Sequence, residues 1–203
     1  MTCTEAAENR NSRVPLYRAA LKGDWKAAKK IIDEDPSILV ASIAHGSYTA
    51  LHVAAGAGHV HFVEKLVDRM ETETVDLRQL DGRGNTAFCV AAAAGHVKIA
   101  EVMMGKDREL PKLLGSEGKT PLCHAASFGR QEMSSLLYST PEYMSPQENL
   151  PRLFFTCIYS GLYGKFQRLS ISLTWIFSFK WYLLSSNPTP ISISNTLYRS
   201  SLS

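Results

Sequence analysis

One short unit recurs along this chain at nearly constant spacing, and that recurrence limits the available folds more than any other feature. Thr49–Val67 reads T-A-L-H-V-A-A-G-A-G-H-V-H-F-V-E-K-L-V, and two later stretches copy it. Thr86–Met104 reads T-A-F-C-V-A-A-A-A-G-H-V-K-I-A-E-V-M-M, and Thr120–Tyr138 reads T-P-L-C-H-A-A-S-F-G-R-Q-E-M-S-S-L-L-Y. Val14–Ile32 is a looser copy. The copies begin at 14, 49, 86 and 120, at intervals of 35, 37 and 34 residues. Self-similarity at this period marks a solenoid, in which each copy leans on its neighbours to bury an apolar face.

Each part of the unit has a physical reason. Thr49 caps an inner helix by accepting a backbone N–H two or three residues on. Leu51, Ala54 and Ala55 face the neighbouring helix, and the paired alanines permit close approach. Gly58 supplies the left-handed residue that ends the inner helix. Val60, Phe62, Val63, Leu66 and Val67 form the apolar stripe of an outer helix. Asp81-Gly82-Arg83-Gly84-Asn85 and Gly115-Ser116-Glu117-Gly118-Lys119 are Gly-bearing turns placed before Thr86 and Thr120. In the first copy Pro15 suits the first helical position. Trp25, Ala27, Ala28, Ile31 and Ile32 share a face there, and lysines 22, 26, 29 and 30 solvate the other. Asp35-Pro36 ends that helix.

These residues resemble an ankyrin-repeat protein. The matching elements are D-x-x-G-x-T at 81–86, G-x-T-P-L at 118–122, T-A-L-H-x-A-A at 49–55 and A-A-x-x-G-H at 91–96. The resemblance implies an all-α solenoid of stacked antiparallel helix pairs with β-turn fingers. Its four repeats fall at about 14–48, 49–85, 86–119 and 120–138 within 13–138, after a disordered tail at 1–12. The stretch 49–67 is similar to plant ankyrin proteins that end in a C-terminal membrane domain, a group associated with stress and defence signalling. The sequence also departs from the family. The usual His three residues after the Thr is kept at His52 but replaced by Cys89 and Cys123, and a thiol is a weak donor, so looser caps are expected there. Gly46 comes one residue early, which predicts an irregular first finger. His59 and His96 hold positions where the family's His is structural.

Several functions are disfavoured. The formal charge is +3, but the tail from Gly164 holds four cations and no carboxylate, so residues 1–163 carry −1. A nearly neutral array lacks the clustered basic face of a nucleic-acid binder. The His52–Cys89–Cys123 column does not suit a metal, because equivalent positions on stacked helices lie about 8–10 Å apart. No G-x-S-x-G, H-E-x-x-H or phosphate-cradling loop is present, so neither an enzyme nor a cofactor is expected. Four cysteines behind a polar N-terminus fit reduced thiols in a cytoplasmic protein.

Beyond Tyr138 the repeat fades. A Pro-bearing linker leads to Arg152–Tyr163, which reads as the inner helix of a degenerate fifth copy, with Cys157-Ile158 where Ala125-Ala126 stood; 139–163 is thus linker and repeat start. Residues 164–203 differ in kind: 27 of the 40 are Phe, Leu, Ser, Ile, Tyr or Trp. Gly164-Lys165-Phe166 fits codons that contain a splice donor, so a translated intron, and hence a truncated ankyrin protein, is the first expectation. The competing reading is a membrane anchor at Leu169–Leu184, although that run is short of the roughly 20 residues of a span and contains Lys180. A third is that Trp175, Ile176, Phe177, Phe179 and Trp181 cover the end of the array.

The resemblance implies a protein partner held in a concave groove of fingertips and inner-helix residues. Carried onto this chain, the family's contact positions are Leu21 and Lys22 in the first copy and Tyr48 in the second. The third gives Arg83, Asn85, Ala93 and Ala94, and the fourth Glu117, Lys119, Ser127 and Phe128. Exposed Tyr, Arg and Phe side chains are those that interface hot spots favour.

Overall fold

The helices appear in pairs, each closed by a glycine at the predicted place. The structure, a computed structural model, describes residues 3–72, 76–139 and 150–162, with side chains from residue 12 onward except at 72, 150, 151 and 154. These residues lie in one unit, Met1–Phe166. The tail 164–203, with the expected anchor Leu169–Leu184 and the intron boundary, lies outside the described residues.

Helix α1 (Cys3–Lys22) pairs with α2 (Trp25–Glu34), α3 (Ala50–Ala57) with α4 (Val60–Thr72), and α5 (Ala87–Ala94) with α6 (Val97–Lys106). Helix α7 (Pro121–Ser127) pairs with α8 (Gln131–Ser139), and α9 (Leu150–Tyr159) packs on α7. Helices α1, α3, α5, α7 and α9 stack in sequence as an inner row, while α2, α4, α6 and α8 form the outer row. No strand forms among the described residues. Two isolated antiparallel bridges, Ala44 with Tyr48 and Leu80 with Thr86, close fingers between the pairs. The fold is an all-α solenoid.

Burial follows the repeat. Leu51, Ala54 and Ala55, then Phe88, Ala91 and Ala92, then Leu122, Ala125 and Ala126, are all buried. A methylene added in such a row would overpack it by about 1–3 kcal/mol. The outer row buries Phe62, Val63, Leu66, Val67, Ile99, Met103, Met133 and Leu137, and Trp25 meets Phe62 edge-on at 5.6 Å. Asp24 caps α2 by accepting Ala27 N–H at 3.0 Å, and Asp35 ends it. The Asp35 carboxylate then accepts both Ser37 N–H and the Ser37 hydroxyl, which opens a short 3-10 turn at Pro36–Leu39.

Three expectations change. Helix α1 begins at Cys3, inside the stretch expected to be disordered, because its Ala, Glu and Arg residues extend a helix that the packed copy has already nucleated. Pro15 therefore lies within α1 rather than at its start, and denies the Asn11 carbonyl its helical N–H. Position 158 does not behave like Ala126: Cys157 is buried, but Ile158 is 42% exposed and Tyr159 89%. Among the described residues no outer helix follows α9 to cover that side.

Candidate functional site

The fingers are rigid because each closes on its own backbone and then bonds to the next. Asp81 organises the second finger. Its Oδ1 accepts Arg83 N–H and Asn85 N–H, both at 2.8 Å, and its own N–H donates to Asn85 O at 2.8 Å. In the first finger Ile43 N–H meets Tyr48 O at 2.8 Å, and Gly46 and Ser47 are both left-handed. Ser47, at φ 57°, carries the irregularity expected from the early glycine. The third finger is irregular too, which the sequence did not signal: Glu117 is left-handed at φ 58°.

Three bonds then staple the series. Gly82 N–H donates to Gly46 O at 2.6 Å, and Ser116 N–H to Asn85 Oδ1 at 2.8 Å. Arg152 on α9 donates to Glu117 O at 3.0 Å. Gly82 must lack a side chain, since a Cβ there would lie 2.9 Å from the Gly46 oxygen.

Below the fingers, His52 ties two copies together. Its Nδ1 lies 2.9 Å from Thr49 Oγ1 and accepts Thr49 N–H at 3.4 Å, while Nε2 lies 3.0 Å from the Asn85 carbonyl. A carbonyl only accepts, so Nε2 carries the proton and the ring is neutral. Burial pushes the His52 pKa down, although the Asn85 carbonyl opposes it. At the cysteine copies the Thr half of the cap is kept. Thr86 Oγ1 accepts Cys89 N–H at 3.2 Å and Thr120 Oγ1 accepts Cys123 N–H at 3.1 Å. What the thiols lack is a second nitrogen to reach the next finger. Burial raises the Cys89 pKa, so that thiol stays protonated.

On the turn side, the residue after each glycine reaches back one copy. His59 Nε2 donates to Leu21 O at 2.9 Å, His96 Nε2 to Gly56 O at 3.2 Å, and Arg130 Nε to Ala93 O at 3.0 Å. These acceptors are last-turn carbonyls, which a helix cannot satisfy internally.

The expected contact residues divide by exposure. Leu21, Lys22, Arg83, Glu117, Ser127 and Phe128 are exposed, with Phe128 at 61%. Tyr48, Ala93, Ala94 and Lys119 are half-buried, and the Tyr48 ring stands edge-on to His52 at 6.0 Å. Asn85 is 9% exposed with its side chain committed to Asp81 and Ser116, so it builds the finger. Glu117 is held by Lys119 at 2.7 Å and Arg152 at 3.3 Å, and the Lys119 bond above all keeps its pKa below the usual carboxylate range.

Sequence reasoning missed the trough between the first finger and the inner helices. It has a volume of about 560 Å³ and is lined by Val14, Tyr17, Ile43, Tyr48, Val53 and Val90. Its signal was the row Arg18, Val53, Val90, His124, which keeps one register while its residue type changes from copy to copy. His124 ends that row buried, with Nε2 unpartnered beside Gly115, and burial lowers its pKa.

Chemically the surface offers shape, apolar contact and a few charges. Among the described residues no group of His, Cys, Asp or Glu is arranged to hold a metal ion, and no helix is long and apolar enough to cross a membrane. The family model for ankyrin repeats (three copies) matches residues 16–110 and 73–147. The chain belongs to the ankyrin-repeat family. No curated protein matches it. Ankyrin repeats are generally protein–protein interaction modules, typically without enzymatic activity, and the turn-to-carbonyl clamps and stapled fingers are how this ankyrin array holds its surface in one shape.

Proposed function

We propose that this chain is a scaffold that binds a protein partner in the concave groove of its ankyrin array. The observation that carries the reading is the pairing of rigid, mutually bonded fingers with side chains left at the surface. Arg83 rides on a finger fixed by Asp81, and Phe128 is 61% exposed at the end of α7. A backbone already fixed removes the loop-ordering part of the entropy cost of binding, and an exposed Phe and Arg are side chains that interface hot spots favour. Leu21, Lys22, Tyr48, Ala93, Ala94, Glu117, Lys119 and Ser127 complete the surface. The test is quantitative pull-down with the full chain, followed by titration of the captured partner. Arg83→Ala and Phe128→Ala should each weaken binding by about 1–2 kcal/mol without lowering the melting temperature; unchanged affinity for both rejects the groove.

A role in plant stress or defence signalling rests on the likeness of 49–67 to plant ankyrin proteins with a membrane domain. Attachment through Leu169–Leu184 is the membrane alternative to a cytoplasmic scaffold. Cell fractionation separates the two, since an anchored chain is released only by detergent.

A further inference from the structure

Charge is distributed unevenly between the two faces of the array. The inner helices and fingers carry Arg18, Lys22, Arg83 and Lys119, with Arg152 beyond them. On these elements, from Val14 to the end of the third finger, only Asp81 and Glu117 stand against them; Glu5 and Glu8 lie in the first turns of α1, before the first copy. Asp81 is 5% exposed and its carboxylate is consumed by the finger. The Glu117 carboxylate already faces two cations. The outer face is richer in carboxylates: there Asp33 meets Arg69, Asp107 meets Arg78, and Asp68 and Glu71 meet Lys106, although no ion pair engages Lys26, Lys29 or Lys30 of α2 among the described residues. Among the described residues no ion pair engages Arg18, Lys22 or Arg83. None of these three cations lines the apolar trough itself, but Arg18 shares the repeat register of Val53 and Val90, which do, and the Arg83 finger is bonded to the finger that walls it.

We propose that the groove takes an acidic polypeptide segment in which a large apolar side chain is flanked by carboxylates. This rests on the reading of the groove as a protein-binding surface. The apolar side chain fills the trough of about 560 Å³ between Tyr17, Val53 and Val90. The carboxylates meet Arg18 and Lys22 on the helix side and Arg83 at the fingertip, where low-dielectric walls strengthen their attraction. A nucleic acid fits less well, because the lining is aliphatic and three free cations do not make the run of phosphate contacts that such binding uses.

The test pans the full chain against a randomised peptide library, then titrates the selected peptides against three proteins: the parent, the Arg18→Glu/Arg83→Glu double variant, and Val53→Trp, which fills the trough. The expected peptides carry Asp or Glu around a Leu, Phe or Trp. The double variant should weaken them about tenfold. Raising salt from about 0.05 M to about 0.5 M should weaken parent binding about fivefold, a readout that stands even where a variant fails to fold. Peptides without acidic bias, indifferent to salt and charge reversal but excluded by Val53→Trp, overturn the acidic partner and leave the groove reading intact. Peptides that also ignore Val53→Trp, or a library that yields no binder, overturn both. A single-stranded RNA that binds as tightly as the peptides, and is lost on the same charge reversal, overturns the polypeptide assignment.

Discussion

The His52 ring receives two donors on Nδ1 and gives its one proton from Nε2 to the Asn85 carbonyl. Protonation would turn Nδ1 into a donor and leave the Thr49 N–H without its acceptor, although the Thr49 hydroxyl can rotate to accept, so the full set of bonds is made only while the ring is neutral. Burial lowers the folded pKa below the ordinary imidazole value, so the unfolded chain binds the proton more readily. Stability from this group is therefore full above about pH 6.5 and falls as pH drops through 6.5 towards the folded pKa. His124 has the same sign. His52→Cys, which copies the neighbouring repeats, should remove part of that acid sensitivity and lower stability at neutral pH by about 1–2 kcal/mol. Urea unfolding across pH 5–8 measures both effects, and an unaltered pH slope would show that the ring does not titrate in this way.

Among the elements, the inner–outer turn couples most strongly to the next copy. Gly58 is left-handed at φ 85°, and a Cβ there would lie 2.7 Å from the His96 ring that clamps Gly56 O. Gly84 is equally left-handed at φ 82° but has open space around its missing side chain. Both alanine variants meet the backbone penalty of about 1–2 kcal/mol, and only Gly58→Ala also displaces the clamp. Gly58→Ala should thus be the more destabilising by about 1 kcal/mol or more in chemical denaturation. Equal losses would mean that the histidine moves aside freely. The sequence made these helices and their turn glycines legible because the repeat states them three times over. It did not make the clamps legible, because each joins residues from different copies. Asn85 illustrates the limit: a fingertip asparagine beside a glycine suggests a solvated loop, and only the fold places Ser116 N–H against its side chain. The extra turns of α1 were hidden for another reason, since polar composition speaks about burial and says little about continuing a helix already begun.

For the molecule as a whole, stability spreads through nearest neighbours, so a change at one end is felt only locally. Arg152 is the test case, bridging α9 to the third finger through the Glu117 carbonyl and carboxylate. Its side chain and that of Glu117 are 38% and 67% exposed, so solvent screens the pair and it adds little to stability. Arg152→Ala should leave the melting temperature nearly unchanged while speeding amide exchange across Leu153–Tyr159. Exchange in α3 and α5 should not move; acceleration there would mean that the array opens as one body. The trough, the fingers and the basic inner face are likewise collective, since each draws residues from several copies.

The clamps all point the same way along the chain. Each turn is completed by a side chain from the following copy, 38, 40 and 37 residues later for Leu21, Gly56 and Ala93. At a translation rate of about 5–20 residues per second, a newly made turn waits roughly 2–8 s before its partner leaves the ribosome. The array is thus finished with a lag of one repeat during synthesis. At Gly161 the next residue is Leu162, whose side chain has no proton to give, and the relay passes no further through that turn.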